Sequence, residues 1–520
     1  MISLSELSPK KRAFLTGTLL LTGTGLACRV LGFFYRIFLS RTIGAEGLGI
    51  YNMLHPIFGI CFALCAGSIQ TALSQHIASH VAIGRSIFHT GMVISMTMSF
   101  VLAFLICRHA ELLASLVLME PRCAPYLPVF GISVPFAAFH ACINGYYYGV
   151  QKSHVPAFSQ VAEQVVRMTA VFFIASFWIH SGRTITVMLA VYGHLIGEAA
   201  SALFTLICLC LFPPQPEGIA AGFFAPDTTA SLMTLALPLM GNRLVLNLLS
   251  SAEAIWIPSR LQLSGLKSDQ AFAVYGVLTG MALPFILFPS AITNSLAVLL
   301  LPSVARDQAE GRKGSICASI SLSLRYSLYM GILCIGIFTL FGEKLGYGVF
   351  CDPDAGRFIQ ILAWLCPFLY LATTMGSILN GLGQTRTTFL QNTFCLLLRI
   401  GFVLFGIPCF GILAYLWGML VSELLLALLH LRSLKKRITF TWNAWEMIVK
   451  PAILLILAIG IHYFTLGLFP SSGKLPLFWE TSIQILFLCF CYGGLLLVFH
   501  FVKKADASQS CACTDNHKPC

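Results

Sequence analysis

Charged residues are scarce in this chain. Asp, Glu, Lys and Arg make up only 10% of its 520 residues, whereas soluble domains carry roughly 25%. No long polar stretch is left over that would form a separate soluble domain. Hydrophobic residues account for 57% of the chain, and its mean hydropathy is +0.84. These proportions exclude a water-soluble fold and predict a protein embedded in a membrane.

A nucleotide-binding loop of the form Gly-x4-Gly-Lys-Ser/Thr is also missing from the sequence. This absence argues against a built-in ATPase, so energy for transport would come from an ion gradient, the membrane potential or the substrate gradient. The predicted external loops are short, which leaves little scaffold for a glycosyltransferase or ligase active site. We predict neither enzymatic activity nor a bound cofactor.

The 19 cysteines and the net charge of +12 have ordinary explanations in such a chain. The cysteines are scattered through apolar runs, where thiols behave as small hydrophobes. In the tail, Cys511, Cys513, His517 and Cys520 match no standard zinc module, so no metal site is predicted. The basic residues cluster at the ends of apolar runs, as orientation signals do, which argues against nucleic acid as a partner.

Apolar runs of about 20 residues recur from end to end, each long enough to cross a hydrocarbon core of roughly 30 Å. The first run has no convincing small-residue cleavage site, so we interpret it as a retained helix and not a signal peptide. The sequence therefore predicts an all-α polytopic membrane protein with about fourteen transmembrane helices. The predicted spans are 14–38, 48–72, 86–107, 125–150, 156–180, 185–212, 228–252, 272–300, 321–342, 356–381, 386–407, 410–431, 447–468 and 478–502.

Basic clusters predict how these spans are oriented. In a map of fourteen helices, all the clusters fall on one side of the membrane, and the opposite loops hold mainly single charges. By the positive-inside rule, both termini are predicted to be cytoplasmic. The clusters are residues 10–12, Arg306 with 312–313, residues 435–437 and residues 503–504.

Two halves of the chain resemble one another. The segment YGHLIGE at 192–198 returns as WGMLVSE at 417–423, 225 positions later, and a segment from Asn144 to Arg167 is echoed from Asn380 to Arg399. The copies are six helices apart, an even number, so both enter the membrane in the same direction as a parallel repeat. We predict a six-helix lobe at 1–225, a second at 226–437, and two added helices with a cytoplasmic tail at 438–520.

Two arginines lie inside the first span. Arg29 and Arg36 are seven residues apart, close to two helical turns, and so share nearly one face. A charge at membrane depth costs at least about 2.5–3.5 kcal/mol, so it usually faces a cavity or a partner. The arginines would form either an anion site, because a guanidinium grips phosphate bidentately, or structural pairs with acidic residues. We favour the anion site.

Ionisable pairs also lie on spans 5 and 6. Glu163 and Arg167 have the i, i+4 spacing of an intrahelical ion pair, which is at least as good an interpretation as a substrate site. His194 and Glu198 share that spacing, and Glu423 occupies the repeat-equivalent position. A histidine beside a carboxylate can relay protons. We favour packing or interlobe hydrogen bonding over a relay, because the copy of His194 is a methionine.

Span 7 carries a further set of polar groups in an apolar run, followed by an arginine near its external end. We interpret these residues as a stripe facing a cavity, and we predict that Asn247, Glu253 and Arg260 bind the substrate. The full set is Arg243, Asn247, Glu253 and then Arg260.

Together, several short motifs resemble those of the stage V sporulation protein B family of polysaccharide transporters, within the multidrug/oligosaccharidyl-lipid/polysaccharide exporter superfamily. The likeness covers roughly residues 12–440. The sequence departs from the family pattern at Asn144 and Gln75, where arginine and lysine are common. The motifs are RVLGF at 29–33 with Arg36, IGAEGLGIY at 43–51, SQVAEQVVR at 159–167, IPSRLQ at 257–262, YG at 275–276 with GMALP at 280–284, and LNGLGQ at 379–384.

This resemblance implies a fold similar to that of lipid II flippases and MATE transporters, with two lobes around a cavity that opens alternately to each side. It also implies that Arg29 and Arg36, with Arg260, hold the pyrophosphate of an undecaprenyl-linked sugar, and that the last two helices offer a groove for its lipid tail. The expected partners are thus a lipid-linked sugar and membrane lipids of the bacterial cytoplasmic membrane.

Three functions stay open at this point. The leading one is a flippase for an undecaprenyl-linked peptidoglycan or polysaccharide precursor, with Na+ or H+ as the candidate coupling ion. The second is a MATE-like drug antiporter, although its cationic substrates would be repelled by Arg29 and Arg36. The third is a non-transporting scaffold for cell-wall or spore-cortex synthesis enzymes, which would tolerate loss of those charges.

Overall fold

The computed structural model of the protein describes residues 9–80, 83–213, 226–438, 440, 443–468 and 476–501. Within these ranges the chain is helical and has no strand. Thirteen helical stretches are long and apolar enough to cross a membrane. The first, Leu20–Ser79, is 60 residues long and therefore covers two predicted spans. The all-α polytopic membrane fold is confirmed, and the cysteine-containing tail lies outside the described residues.

The long helices are numbered here in chain order. They are α1 (9–43), α2 (45–79), α3 (Gly84–Arg108), α4 (Leu127–Gly149), α5 (His154–His180), α6 (Met188–Leu211), α7 (Pro226–Leu263), α8 in two segments (Ser268–Leu287 and Ser290–Ala309), α9 (Lys313–Phe350), α10 (Pro353–Gly381), α11 (Thr385–Phe410), α12 (Ile412–Lys435), α13 (445–468) and α14 (Leu477–Phe501).

The backbone stays helical because, inside a membrane, only internal hydrogen bonds can satisfy its polar groups. The break between α1 and α2 is correspondingly small. The sequence predicts a loop at 39–47, but the structure confines the break to Gly44, whose φ of 73° lies in the region that favours glycine. Turns of π-helix interrupt α2 at Ala63–Gly67 and α8 at Val277–Ala282, where one extra residue per turn redirects the side chains that follow.

Two compact units make up the chain. Unit 1 comprises Met1–Gly280 with Ile400–Ile412, and unit 2 comprises Met281–Arg399 with Leu413–Cys520. One cluster of fully buried apolar side chains in unit 1 joins α2 to α3 and α4 through residues such as Leu73, Ile87 and Tyr147. A corresponding cluster in unit 2 joins α8, α9, α10 and α12.

A close approach of α2 and α8 within unit 1 depends on two glycines. A Cβ added to Gly276 would stand 1.8 Å from the carbonyl oxygen of Ala45, and one added to Gly49 would stand 2.1 Å from that of Phe272. Both obstacles are backbone atoms of the opposite helix, which cannot rotate away. The two helices therefore touch backbone to backbone at this crossing, as small residues allow in membranes.

Gly276→Ala is expected to destabilise the protein by about 3 kcal/mol or more, because overpacking against a fixed backbone forces the helices apart. The measurement is the melting temperature of the purified protein in detergent. Gly460→Ala on α13 is the matched control, since among the described residues no heavy atom beyond the helix's own neighbouring backbone lies within 4 Å of the added Cβ. Equal melting temperatures for the two variants would contradict the close crossing.

Candidate functional site

Four ionisable side chains meet inside unit 1, where α4, α5 and α6 face one another. His140 Nε2 is hydrogen-bonded to Glu198 Oε2 at 2.8 Å. Arg167 contacts the carboxylate of Glu163 one turn earlier on α5, and its Nη2 lies 3.8 Å from Glu198 Oε1. The four side chains are between 8 and 17% exposed. We call His140, Glu163, Arg167 and Glu198 the charge cluster.

Glycines on α6 give Arg167 its place. A Cβ on Gly197 would lie 2.8 Å from Arg167 Nε, and one on Gly193 would lie 2.2 Å from Val171 Cγ2 and 3.0 Å from the Tyr35 hydroxyl. Since these glycines precede Glu198 on α6, the guanidinium can lie along the helix and reach the carboxylate. The segment at 192–198 therefore supplies both the space and the negative charge.

His194 is enclosed by aromatic rings. Its imidazole stacks on Phe130 at 4.5 Å between ring centroids and meets Phe58 edge-on at 4.7 Å. Within the described part of the chain, His194 Nε2 has no hydrogen-bond partner. The histidine hydrogen-bonded to Glu198 is thus His140 of α4, and His194 lies one turn away on the same helix as Glu198.

Unit 2 repeats part of this arrangement. Arg399 on α11 lies with Nη1 3.7 Å from Oε1 of Glu423 on α12. This ion pair joins the positions that the sequence repeat matches with Arg167 and Glu198. The copies of the other two cluster members are not ionic: Cys395 stands four residues before Arg399, and Gly376 four residues before Asn380. Each unit thus holds an arginine–glutamate pair, and unit 1 adds a histidine and a second glutamate.

The two arginines of α1 differ in their surroundings. Arg36 is half-buried, and its Nη1 donates to the carbonyl oxygen of Thr279 at 3.1 Å, within the π-helical turn of α8. The amide of Asn52 donates to the Thr279 hydroxyl at 2.9 Å. The hydrogen bond from Arg36 to the Thr279 carbonyl uses one of the five donors of the Arg36 guanidinium. Arg29 is exposed on α1.

The polar residues of α7 are mostly held by neighbours. Arg243 Nη2 donates to the Thr71 hydroxyl of α2 at 2.9 Å, and Asn247 donates to the backbone carbonyl of Arg243 at 2.9 Å. Glu253 is buried. Arg260 is partly buried, and within the described residues its Nε has no hydrogen-bond partner. Arg260 therefore has donor capacity for a ligand at its Nε.

A second polar group ties the ends of several unit 1 helices together. Arg122 Nε lies 2.7 Å from Glu120 Oε1, its Nη2 donates to Ser268 at 2.9 Å, and it also contacts Glu46. Burial opposes ionisation of Glu120, but hydrogen bonds from Arg122 outweigh burial and lower the pKa of the carboxyl. These contacts link the start of α2, the segment before α4 and the start of α8.

Sequence reasoning missed His140 and the roles of Thr279 and Arg122. His140 carried one signal, because it is a polar residue in the apolar run of α4, one turn before Asn144. Thr279 acts through its backbone carbonyl, which leaves no mark in the sequence. Arg122 looked like an isolated external charge, and its partners Glu46 and Ser268 are distant along the chain.

The profile of the polysaccharide biosynthesis protein family matches residues 14–305, more than half of the chain. The chain belongs to this family. Among curated relatives of this polysaccharide biosynthesis protein, stage V sporulation protein B of Bacillus subtilis (strain 168) is 26% identical over 513 residues, covering 95% of this chain and 97% of the relative.

Solved structures show how far the fold of this family member extends. The structure of the lipid II flippase MurJ in an inward closed conformation aligns with a TM-score of 0.73 at 15% identity, covering 94% of this chain and 100% of MurJ. An inward-facing multidrug resistance MATE family transporter of the MOP superfamily aligns with a TM-score of 0.66 at 13% identity, covering 81% of this chain and 98% of the transporter. The chain therefore has the MurJ- and MATE-like fold that its motifs predict.

Proposed function

We propose that this polysaccharide biosynthesis protein is a flippase that moves an undecaprenyl-pyrophosphate-linked peptidoglycan or polysaccharide precursor across the bacterial cytoplasmic membrane by alternating access. The observation that carries the proposal is the likeness to the lipid II flippase MurJ over 94% of the chain. The likeness to stage V sporulation protein B over almost the whole chain points the same way. No covalent step is required of the protein.

In this proposal, arginines bind the pyrophosphate. Arg29 is exposed on α1. Arg36 uses one of its N–H donors for the bond to α8, and its other donors can bind a ligand. Within the described chain, the Nε of Arg260 has no hydrogen-bond partner. Three guanidinium groups suit an anion that carries two phosphates. Asn247 and Glu253 then shape α7, since Asn247 is hydrogen-bonded to its own helix and Glu253 is buried.

The repeat belongs to the same proposal. Alternating access requires two lobes that move relative to each other. We infer that the lobes are residues 1–225 and 226–437, and that residues 438–520 add two further helices. The recurrence of the ion pair, as Arg167 with Glu198 in unit 1 and Arg399 with Glu423 in unit 2, supports two copies of one ancestral six-helix lobe.

A MATE-like drug antiporter is the second candidate, because a multidrug resistance MATE family transporter shares the fold. The charges favour the flippase. A cationic drug would meet Arg29 exposed on α1, and like charges brought together without solvent repel strongly.

The orientation that suits the flippase places both termini and the 306–313 loop in the cytoplasm. Arg306 and Arg312 there are more than half exposed, as retained basic residues should be. Green fluorescent protein inserted at Gly311 should fluoresce, and the same insertion at Gly182, between α5 and α6, should not. Fluorescence only from the Gly182 insertion would invert the map.

The function is tested by complementation of a strain depleted of its lipid-linked precursor flippase. We expect the wild-type chain to restore growth and to stop the accumulation of precursor in the inner leaflet. Cationic dye efflux is measured in the same cells. Dye efflux without rescue, at normal membrane abundance, would replace the flippase with the drug antiporter.

A further inference from the structure

We propose that the charge cluster of unit 1 is the proton-binding site that couples the flippase to the proton gradient. The inference rests on the proposed function and assigns its coupling ion and site. The ligand is a single proton, taken up by the His140–Glu198 pair and later released from it. Only an N–H or O–H bond forms and breaks, so the step needs no other reactant.

The net charge of the cluster favours the binding of one proton. Two carboxylates, Glu163 and Glu198, share the single guanidinium of Arg167. With a neutral imidazole at His140 the group carries one net negative charge, and burying such a charge is costly. Adding one proton balances the group. The hydrogen bond of 2.8 Å between His140 and Glu198 provides adjoining nitrogen and oxygen atoms to receive it.

The two units differ in the groups that surround their arginine–glutamate pair. Unit 2 keeps the arginine–glutamate pair, Arg399 with Glu423, which is already neutral. The glutamate that unbalances the charge in unit 1, Glu163, is replaced there by Cys395, and His140 is replaced by Gly376. A purely structural cluster needs only the pair that both units retain. The second glutamate of unit 1, whose repeat position holds Cys395, therefore indicates a task that unit 2 does not share.

A second buried imidazole lies one turn from Glu198. His194 is 5% exposed, its Nε2 has no hydrogen-bond partner in the described chain, and it lies one turn from Glu198 on α6. His194 thus brings a second nitrogen base to the part of α6 that carries Glu198. Other groups within electrostatic range on the packed helices are Cys28, Tyr35 and Arg36 on α1, and Tyr51 and His55 on α2.

A metal ion fits the cluster less well than a proton. One ligand atom from each of His140, Glu163 and Glu198 lies within 4.8 Å of the others, which a cation could bridge. Arg167, however, already contacts Glu163 and lies 3.8 Å from Glu198 Oε1, and its guanidinium would repel a second cation. A proton adds to the group without moving Arg167. Sodium is accordingly an outcome that the experiment distinguishes.

The experiment uses the purified full-length chain in lipid vesicles that contain a pH-sensitive dye. An undecaprenyl-pyrophosphate-linked disaccharide with a fluorescent label is the probe, and proton flux and flipping are recorded together. We expect probe-dependent proton flux from the wild type. Glu198→Gln and His140→Asn should each lower that flux about tenfold or more per flipped probe, while Glu423→Gln, the matched change in unit 2, should leave it near wild type.

Each result is decisive. Proton flux that survives in both unit 1 variants, or that is lost equally in Glu423→Gln, overturns the assignment. Flipping that requires Na+ and moves no protons overturns it as well and leaves the flippase intact, whereas a wild type that does not flip the probe ends both proposals. If Glu198→Gln fails to fold, His140→Asn, which keeps both carboxylates and Arg167, decides alone.

Discussion

Arg167→Leu is expected to remove most of the folded protein from the membrane. The guanidinium of Arg167 is the cation that Glu163 and Glu198 share at 12% exposure, so its loss leaves two buried carboxylates in excess. Breaking a buried ion pair by removing one partner costs about 3–5 kcal/mol, a large part of the stability of an ordinary domain. Membrane abundance and the melting temperature in detergent measure the effect.

The repeat provides the control for this change. Arg399→Leu removes the equivalent arginine of unit 2, where Cys395 takes the place of the second glutamate, so its cost should be smaller. Adding Glu163→Gln to Arg167→Leu should recover part of the abundance, because one surplus charge disappears. An Arg167→Leu protein as stable as the wild type would show that the carboxylates are neutral or paired elsewhere.

Arg29→Ala is expected to weaken binding of undecaprenyl pyrophosphate by about tenfold to one-hundredfold, the worth of a hydrogen bond to a charged group. Arg29 is exposed, so the folded protein should persist. Arg29→Lys should bind with intermediate affinity, because lysine keeps the charge and loses the bidentate fork. Titration of the purified protein, followed by its tryptophan fluorescence, measures the affinity.

Arg36 and Arg108 frame that result. Arg36→Ala should also lower the melting temperature, since its guanidinium donates to the Thr279 carbonyl of α8. Arg108→Ala at the end of α3 is the charge-matched control, because Arg108 is likewise exposed. If Arg108→Ala weakens binding as much as Arg29→Ala does, the ligand responds to net charge and not to a site on α1.

Sequence patterns predicted the parts of this protein that are local or repeated. The number of apolar runs predicted the number of helices, because each transmembrane helix needs its own run of about 20 apolar residues. The i, i+4 spacing of Glu163 and Arg167 predicted their contact, because it depends on one helix only. The copies at 192–198 and 417–423 drew attention to Glu198 and Glu423, each of which lies beside an arginine in its own unit.

Contacts between distant segments could not be predicted in this way. His140 reaches Glu198 across 58 positions, and Arg36 reaches Thr279 across 243. The spacing of His194 and Glu198 favoured packing or interlobe hydrogen bonding, but it could not show that the ring of His194 stacks on Phe130. In a chain with so many apolar residues, which helices adjoin depends on the glycines that allow close approach, such as Gly49 and Gly276, and on the side chains opposite them.

A flipping assay with the reconstituted protein shows whether the chain moves an undecaprenyl-pyrophosphate-linked sugar across a bilayer. Vesicles with the labelled undecaprenyl-pyrophosphate-linked disaccharide in both leaflets are treated with a membrane-impermeant reductant that bleaches the label irreversibly. In empty vesicles, about half of the fluorescence should stay protected. The wild type should remove this protection, and Arg29→Ala at equal protein content should remove it far more slowly. Protection that persists with folded wild-type protein under an imposed proton gradient would contradict the account.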